Sequence, residues 1–229
     1  MATKEHKYLG SRSHKVDGLD KVTGNSQFGA DLVLPGMLHG KILRSPHAHA
    51  LIKSINTSKA AARPGVMAVV TAADFPNLAK GTLACVGKRT FEMSYLSRVV
   101  MAREKVHFHG QPVAAIAAKT LQEAEDALGF IEVEYEPLPV VLDPDEAMKP
   151  EAPLLHSDLF TLDEGSVATT PSNVAWHLEF KRGDLERGFA DADIVVERSF
   201  RTRMVHQGYI EPEAECAAVG PGVASRYGR

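Results

Sequence analysis

The sequence comprises 229 residues, 44% of them hydrophobic and 24% charged, with a formal net charge of −3 at pH 7. That length allows one large domain or two modest ones, and the composition belongs to a globular chain, not a disordered one. The small charge and the lack of any long Lys/Arg block exclude a nucleic-acid or anionic-membrane surface, and no apolar run is long enough to span a bilayer.

Residues 1–7 are polar and charged and lack the apolar core of a signal peptide, so the expected location is cytoplasmic. The two cysteines, Cys85 and Cys216, are too few for an iron–sulfur cluster or a Cys-rich zinc site. If the protein performs redox chemistry, its electron carriers must be elsewhere.

Residues 1–25 are rich in Lys, His, Gly and Ser, show no hydrophobic period, and read as an arm. Residues 38–43 and 50–55 read as strands, the second alternating around Leu51 and Ile55. Thr57-Ser58 caps a short helix over 59–63, which Pro64-Gly65 ends. The β-branched run 66–71 is a buried strand. Residues 76–98 carry no period and predict a loop with at most one weak strand.

From Gln111 the pattern sharpens. Residues 112–118 form an apolar strand, and Thr120 with Glu123 forms a capping box. The helix that follows sets Leu121, Ala124, Ala127 and Leu128 on one face. Residues 130–135 return as a strand, alternating Ile131, Val133 and Tyr135 against Glu132, Glu134 and Glu136. Residues 143–173, dense in Pro, Ser, Asp and Thr, predict a long surface connection and a domain boundary. Asp184 then caps a short helix over 185–189, and 194–203 reads as a long strand. Two short αβ pairs in a strand-rich chain give an α+β fold class.

Three ordered stretches carry a resemblance. The first runs from Asp17-Gly18-Leu19-Asp20-Lys21-Val22-Thr23-Gly24 through Pro35-Gly36-Met37-Leu38 to Arg44-Ser45-Pro46-His47-Ala48-His49-Ala50. The second joins Gly110-Gln111-Pro112-Val113-Ala114 to Ile131-Glu132-Val133-Glu134-Tyr135-Glu136-Pro137-Leu138-Pro139. The third holds Gly183-Asp184, Phe189-Ala190-Asp191-Ala192-Asp193, and His206 with Glu211-Pro212. Together they resemble the molybdenum-binding large subunit of the xanthine oxidase/aldehyde oxidase family, from about residue 10 to about residue 215.

The resemblance implies an N-terminal arm over 1–17, an a/b hammerhead domain over 18–140, a linker over 141–173, and the start of a molybdopterin-binding domain over 174–229. The expected architecture is a hammerhead-like mixed sheet with short packed helices, followed by the opening αβ segment of a second, incomplete domain. The activity implied is oxidation of an aldehyde, N-heterocycle or related small substrate with water as the oxygen source. Molybdopterin would sit in the complete subunit, and electrons would pass to Fe-S and FAD partner subunits. The family's Gly-Gly-Phe-Gly-Gly stretch and late glutamate base do not occur here, and residues 219–229 do not align with the family. The expectation is therefore a truncated chain, incomplete and inactive alone, with no cofactor held by it. The alternative is a non-catalytic scaffold or interaction remnant of such a subunit.

No catalytic, cofactor-binding or metal residue is assigned within the chain. His206 and Glu211 occupy a family motif, and they read as hydrogen-bonding anchors ahead of substrate-funnel residues. The pairs His47/His49 and His107/His109 place imidazoles on one side of extended segments, with metal binding the less favoured reading. Glu132, Glu134 and Glu136 read as a solvated face because like charges so close repel. Cys85 and Cys216 lack a nearby activating group. Gly220-Pro221-Gly222 is a turn, not a phosphate loop, and Arg44 and Arg98 read as ordinary surface arginines.

Overall fold

The computed structural model describes residues 12, 14–86, 89–163, 166–209, 213–220 and 223–228. They fall into two units, Gly36–Val195 and the paired segments Met1–Pro35 with Val196–Arg229. The chain runs α1 (Gly18–Thr23), β1 (His39–Arg44), β2 (Ala50–Asn56), α2 (Ser58–Ala61), β3 (Val66–Thr71), β4 (Leu83–Val86), β5 (Arg89–Glu92) and α3 (Met93–Val100). It continues through β6 (Lys105–Val106), β7 (Pro112–Ala118), α4 (Leu121–Leu128), β8 (Glu132–Pro137) and α5 (Pro144–Ala147). Last come β9 (Phe160–Asp163), β10 (Ser166–Pro171), β11 (Trp176–His177), α6 (Leu185–Ala190), β12 (Glu215–Gly220) and β13 (Val223–Gly228).

In the larger unit β7 is the central strand of an antiparallel sheet ordered β1-β7-β3. Its backbone is paired on both edges, so a near-continuous apolar run suits it, with Pro112 confined to the first position. Ala114, Ile116 and Ala118 face Ala124 and Ala127 of α4, joined by Ala60 and Ile131. Small side chains on both surfaces let helix and sheet approach closely. On the other face of β7, Val113 packs with Ala50, Ala102 and Val106. β7 thus joins two apolar clusters, the second of which lies against a sheet ordered β6-β2-β8.

α4 starts where the capping box places it. Thr120 Oγ1 accepts from Glu123 N at 3.2 Å, and Thr120 N donates to Glu123 Oε2 at 3.0 Å. Gly65 has a positive φ of 80°, and a Cβ there would overlap the Glu123 carboxylate. The alternation in β8 also holds, with Val133 and Tyr135 half-buried and Glu132, Glu134 and Glu136 exposed.

Three segments differ from the sequence reading. Residues 76–98 hold the β4–β5 hairpin and most of the eight-residue helix α3. The hairpin strands lack period-two alternation, so pairing alone defines them. Residues 143–173, read as a connection, contain α5 and the β9–β10 pair, with β11 parallel to β9. Asn173 organises this stretch, donating to the carbonyls of Ala147 (3.1 Å) and Pro153 (3.0 Å) and accepting from Leu155 N (3.0 Å). Such long-range polar anchors leave no periodic trace. Residues 194–203 form no strand, and Ile194 and Phe200 are 81% and 88% exposed. Among the described residues no neighbouring strand pairs with them, and an unpaired strand does not persist by propensity alone.

In the smaller unit α1 ends at Gly24, with a positive φ of 75°, and β12 pairs with β13 from Glu215↔Gly228 to Gly220↔Val223. Gly29 lies against the Ala214 carbonyl, 2.7 Å from where a Cβ would sit. Among the described residues no helix is long and apolar enough to cross a membrane.

Candidate functional site

The loop after β1 and the loop before β7 clasp one another. Ser45 N donates to the Gln111 carbonyl and Gly110 N to the Ser45 carbonyl, both at 2.9 Å. Arg44 Nη1 closes the turn on the Gly110 carbonyl at 2.9 Å. Gln111 is fully buried; its Oε1 accepts from His107 N at 2.7 Å, and its Nε2 donates to the Arg98 carbonyl at 3.3 Å. Ser45 Oγ accepts from His47 N and donates to the His47 carbonyl, both at 3.0 Å, which curls the chain toward His49.

His49 is buried, and its Nδ1 lies 2.6 Å from the Pro139 carbonyl. A carbonyl only accepts, so Nδ1 carries the hydrogen there, and Nε2 is left buried without a partner. His107 lies beside it, ring centroids 6.5 Å apart, and stacks on His156 at 4.2 Å with an 18° interplanar angle. Tyr95 meets His156 edge-on at 5.4 Å. Burial, and then the neighbouring His156, Lys105, His49 and Arg98, push the His107 pKa down to about 4. Burial and Lys105 likewise lower that of His156, against the opposing pull of Asp158.

Beside this stack, a cleft of about 350 Å³ is walled by Arg98, Arg103, Lys105, His107, His156 and Asp158. Arg98 Nη1 pairs with Asp158 Oδ2 at 2.6 Å, which holds the Asp158 carboxyl below its usual range. Lys105 Nζ reaches the Leu155 carbonyl at 2.6 Å, and burial lowers its pKa.

The structure therefore brings together one member of each predicted histidine pair and adds His156, which sequence reading misses. It separates the other two. His47 packs edge-on against Tyr135 at 4.9 Å, and His109 is exposed. Stacked rings direct their in-plane lone pairs side by side, and among the described residues no three His, Cys, Asp or Glu side chains converge as for a metal. The acidic ladder is a solvated face: Glu132 pairs with Lys59 at 2.5 Å and Glu136 with Lys53 at 2.7 Å, while Glu134 accepts from Ser54 Oγ at 3.3 Å. Arg98 and Arg44, read as ordinary surface arginines, lie at the surface and each also makes a contact, Arg98 with Asp158 and Arg44 with the Gly110 carbonyl.

His206 is exposed and accepts only locally, from Gly208 N at 3.4 Å, so it does not anchor a buried strand. Glu211 lies outside the described residues, as do Pro221 and Gly222 of the predicted turn. Cys216 is a half-buried free thiol on β12. No local pattern marks His156. It is brought to His107 only by the folding of the 143–173 stretch.

The family model for the aldehyde oxidase and xanthine dehydrogenase a/b hammerhead domain matches residues 23–139. That for the molybdopterin cofactor-binding domain matches residues 167–223. The carbon monoxide dehydrogenase large chain of Afipia carboxidovorans is 38% identical over 213 residues, 92% of this chain and 25% of that protein. A probable xanthine dehydrogenase subunit of Bacillus subtilis is 36% identical over 203 residues, 89% of this chain and 24% of that protein. The solved carbon monoxide dehydrogenase of Oligotropha carboxidovorans superposes with a TM-score of 0.60 at 38% identity, over 81% of this chain and 22% of that chain. The chain thus spans about a quarter of the length of these relatives.

Within 167–220 the described residues do not form a cradle for molybdopterin. Residues 175–209 are exposed throughout, and the buried polar atoms without a partner, on His49, His107 and Arg103, all lie elsewhere. Two matching domain models in order, an interlocked pair of motif loops and the superposition on a solved molybdenum enzyme agree: the chain belongs to the xanthine dehydrogenase/aldehyde oxidase family of molybdenum hydroxylases.

Proposed function

We propose that the chain is a portion of a molybdenum-dependent hydroxylase or dehydrogenase large subunit. In this reading it contributes the hammerhead domain and the opening of the molybdopterin domain to a larger assembly. The domain limits proposed are an arm over 1–17, a hammerhead over 18–140, a connection over 141–173 and the start of the cofactor domain over 174–229. The whole subunit would oxidise an aldehyde, an N-heterocycle or a related small substrate with water as the oxygen source. Its electrons would leave through Fe-S and FAD partner subunits. Molybdopterin supplies the oxidation chemistry when bound, and the larger part of its binding site would come from sequence outside these 229 residues.

The observation that carries this reading is the 38% identity over 92% of this chain with a carbon monoxide dehydrogenase large chain, of which it spans 25%. The unpaired apolar stretch supports it too. Leu178, Phe180, Phe189, Ile194, Phe200 and Met204 are all exposed, a spacing suited to a strand and helix that more polypeptide covers.

The test is molybdenum content together with native mass, on protein purified from its own source. Molybdenum co-eluting in a complex much heavier than 24.8 kDa is the expected result. A metal-free species at that mass would overturn the reading in favour of a non-catalytic scaffold.

A further inference from the structure

The cleft beside the histidine stack lies outside the segment matched to the cofactor-binding domain. Its charged walls are Arg98, Arg103, Lys105, Glu104 and Asp158, so cations outnumber acids. Asp158 is engaged by Arg98. Arg103 Nη2 donates only to the carbonyls of Phe75 (2.6 Å) and Pro76 (2.9 Å), and its Nε is buried without a partner. Lys105 Nζ donates to the Leu155 carbonyl. Among the described residues, then, these two half-buried cations donate to neutral oxygens and neither forms a direct ion pair, although the Asp158 carboxylate, already bound by Arg98, acts on Lys105 through space and Glu104 also lines the cleft.

That arrangement is costly for a cation. Partial burial removes water from the charge, and a carbonyl dipole replaces only part of the lost solvation. An anion entering the cleft would meet an ammonium, a guanidinium, and two imidazoles whose charged forms burial disfavours. The volume also constrains the ligand. About 350 Å³ lies at the low end of small-molecule sites, roughly 300–1,000 Å³, and exceeds what a bare oxyanion fills. The stacked faces of His107 and His156 offer a flat surface for the remainder of a ligand.

We propose that this cleft binds a small phosphomonoester, its phosphate held between Lys105 and Arg103 and its organic part lying toward the His107–His156 stack. Such a site is independent of the molybdenum reading, because every residue in it belongs to the Gly36–Val195 unit and none to the matched cofactor-binding segment.

The test is calorimetric titration of the full chain with glycerol 3-phosphate and, separately, with inorganic phosphate, at pH 7. Saturable binding of the ester, tighter than that of inorganic phosphate, is expected. Lys105→Met should weaken it at least tenfold, and Lys105→Arg, which keeps the charge, should retain it. Lys59→Met, on the distant acidic ladder, should bind as the parent chain does, and unchanged circular dichroism of each variant checks the fold. Absence of saturable binding overturns the proposal, as does equal binding by Lys105→Met. Inorganic phosphate binding as tightly as the ester would mean an adventitious ion only, and also overturns it.

Discussion

Ser45 and Gln111 lie in loops 66 residues apart, yet the Ser45 amide donates to the Gln111 carbonyl at 2.9 Å while the Gln111 side chain is fully enclosed. Gln111 therefore fastens the two motif loops by its backbone and, through Oε1 and Nε2, fixes His107 and the end of α3. Gln111→Leu keeps the volume but strands the His107 amide and the Arg98 carbonyl. Each unsatisfied buried group costs about 1–3 kcal/mol, so for the two a loss of about 2–6 kcal/mol is expected. Urea denaturation of the variant, with the slope m unchanged, checks it. A variant as stable as the parent would show that water replaces the amide.

Gly65 sets the second expectation. Its φ of 80° disfavours any L side chain, and a Cβ would overlap the Glu123 carboxylate that closes the capping box. Gly65→Ala should destabilise by about 1–3 kcal/mol, combining left-handed strain with a disturbed cap. The double variant with Glu123→Ala separates the two effects. If the clash dominates, Gly65→Ala costs measurably less in the Glu123→Ala background, in a thermal denaturation cycle.

These two sites show which parts of the structure are legible in sequence. The capping box, the apolar β7 and the alternation of β8 are local, so their periods and cap residues announce them. The His107–His156 stack is not local: its members are 49 residues apart, and His156 sits in a stretch whose composition resembles a linker. The 194–203 run shows the converse. Its β-branched residues satisfy the strand pattern, but a strand needs an edge to pair with, and among the described residues none is offered. The interlocked motif loops are visible in sequence only as ordered family stretches, with no hint that Ser45 and Gln111 touch.

The His107 ring predicts a pH dependence. Its pKa is about 4 in the folded chain and about 6.5 when unfolded. Between those values the unfolded chain binds more protons, so stability is present in full above pH 6.5 and declines as pH falls toward 4. The lowered pKa of His156 acts in the same sense. The slope cannot exceed about 1.4 kcal/mol per pH unit for one group, and solvent reaching the half-buried ring reduces it. His107→Phe, which keeps a flat ring for His156 and removes the titration, should flatten the stability profile between pH 4.5 and 6.5. Parallel profiles for the two proteins would place the dependence on other groups.

The exposed stretch 175–209 makes the last prediction. Protease cleavage requires several residues of backbone to enter an extended site, which paired strands and packed helices resist until they open. In the larger unit, β1, β3 and β7 are laddered and α4 is packed on them, so Lys41 lies on protected backbone. Lys181, Arg182, Arg198 and Arg203 instead lie on exposed segments without a ladder. Brief trypsin treatment should therefore cut first between 181 and 203, releasing a fragment that retains β1 through β11, as read by intact-mass spectrometry. Protein isolated within a molybdenum-containing complex should resist cleavage at those same bonds, because the apolar side chains of Ile194, Phe200 and Met204 would then be covered. First cuts within β7 or β8 would contradict the packing described for the larger unit. Equal cleavage between 181 and 203 in complex and in isolation would mean that this segment is not where further polypeptide docks.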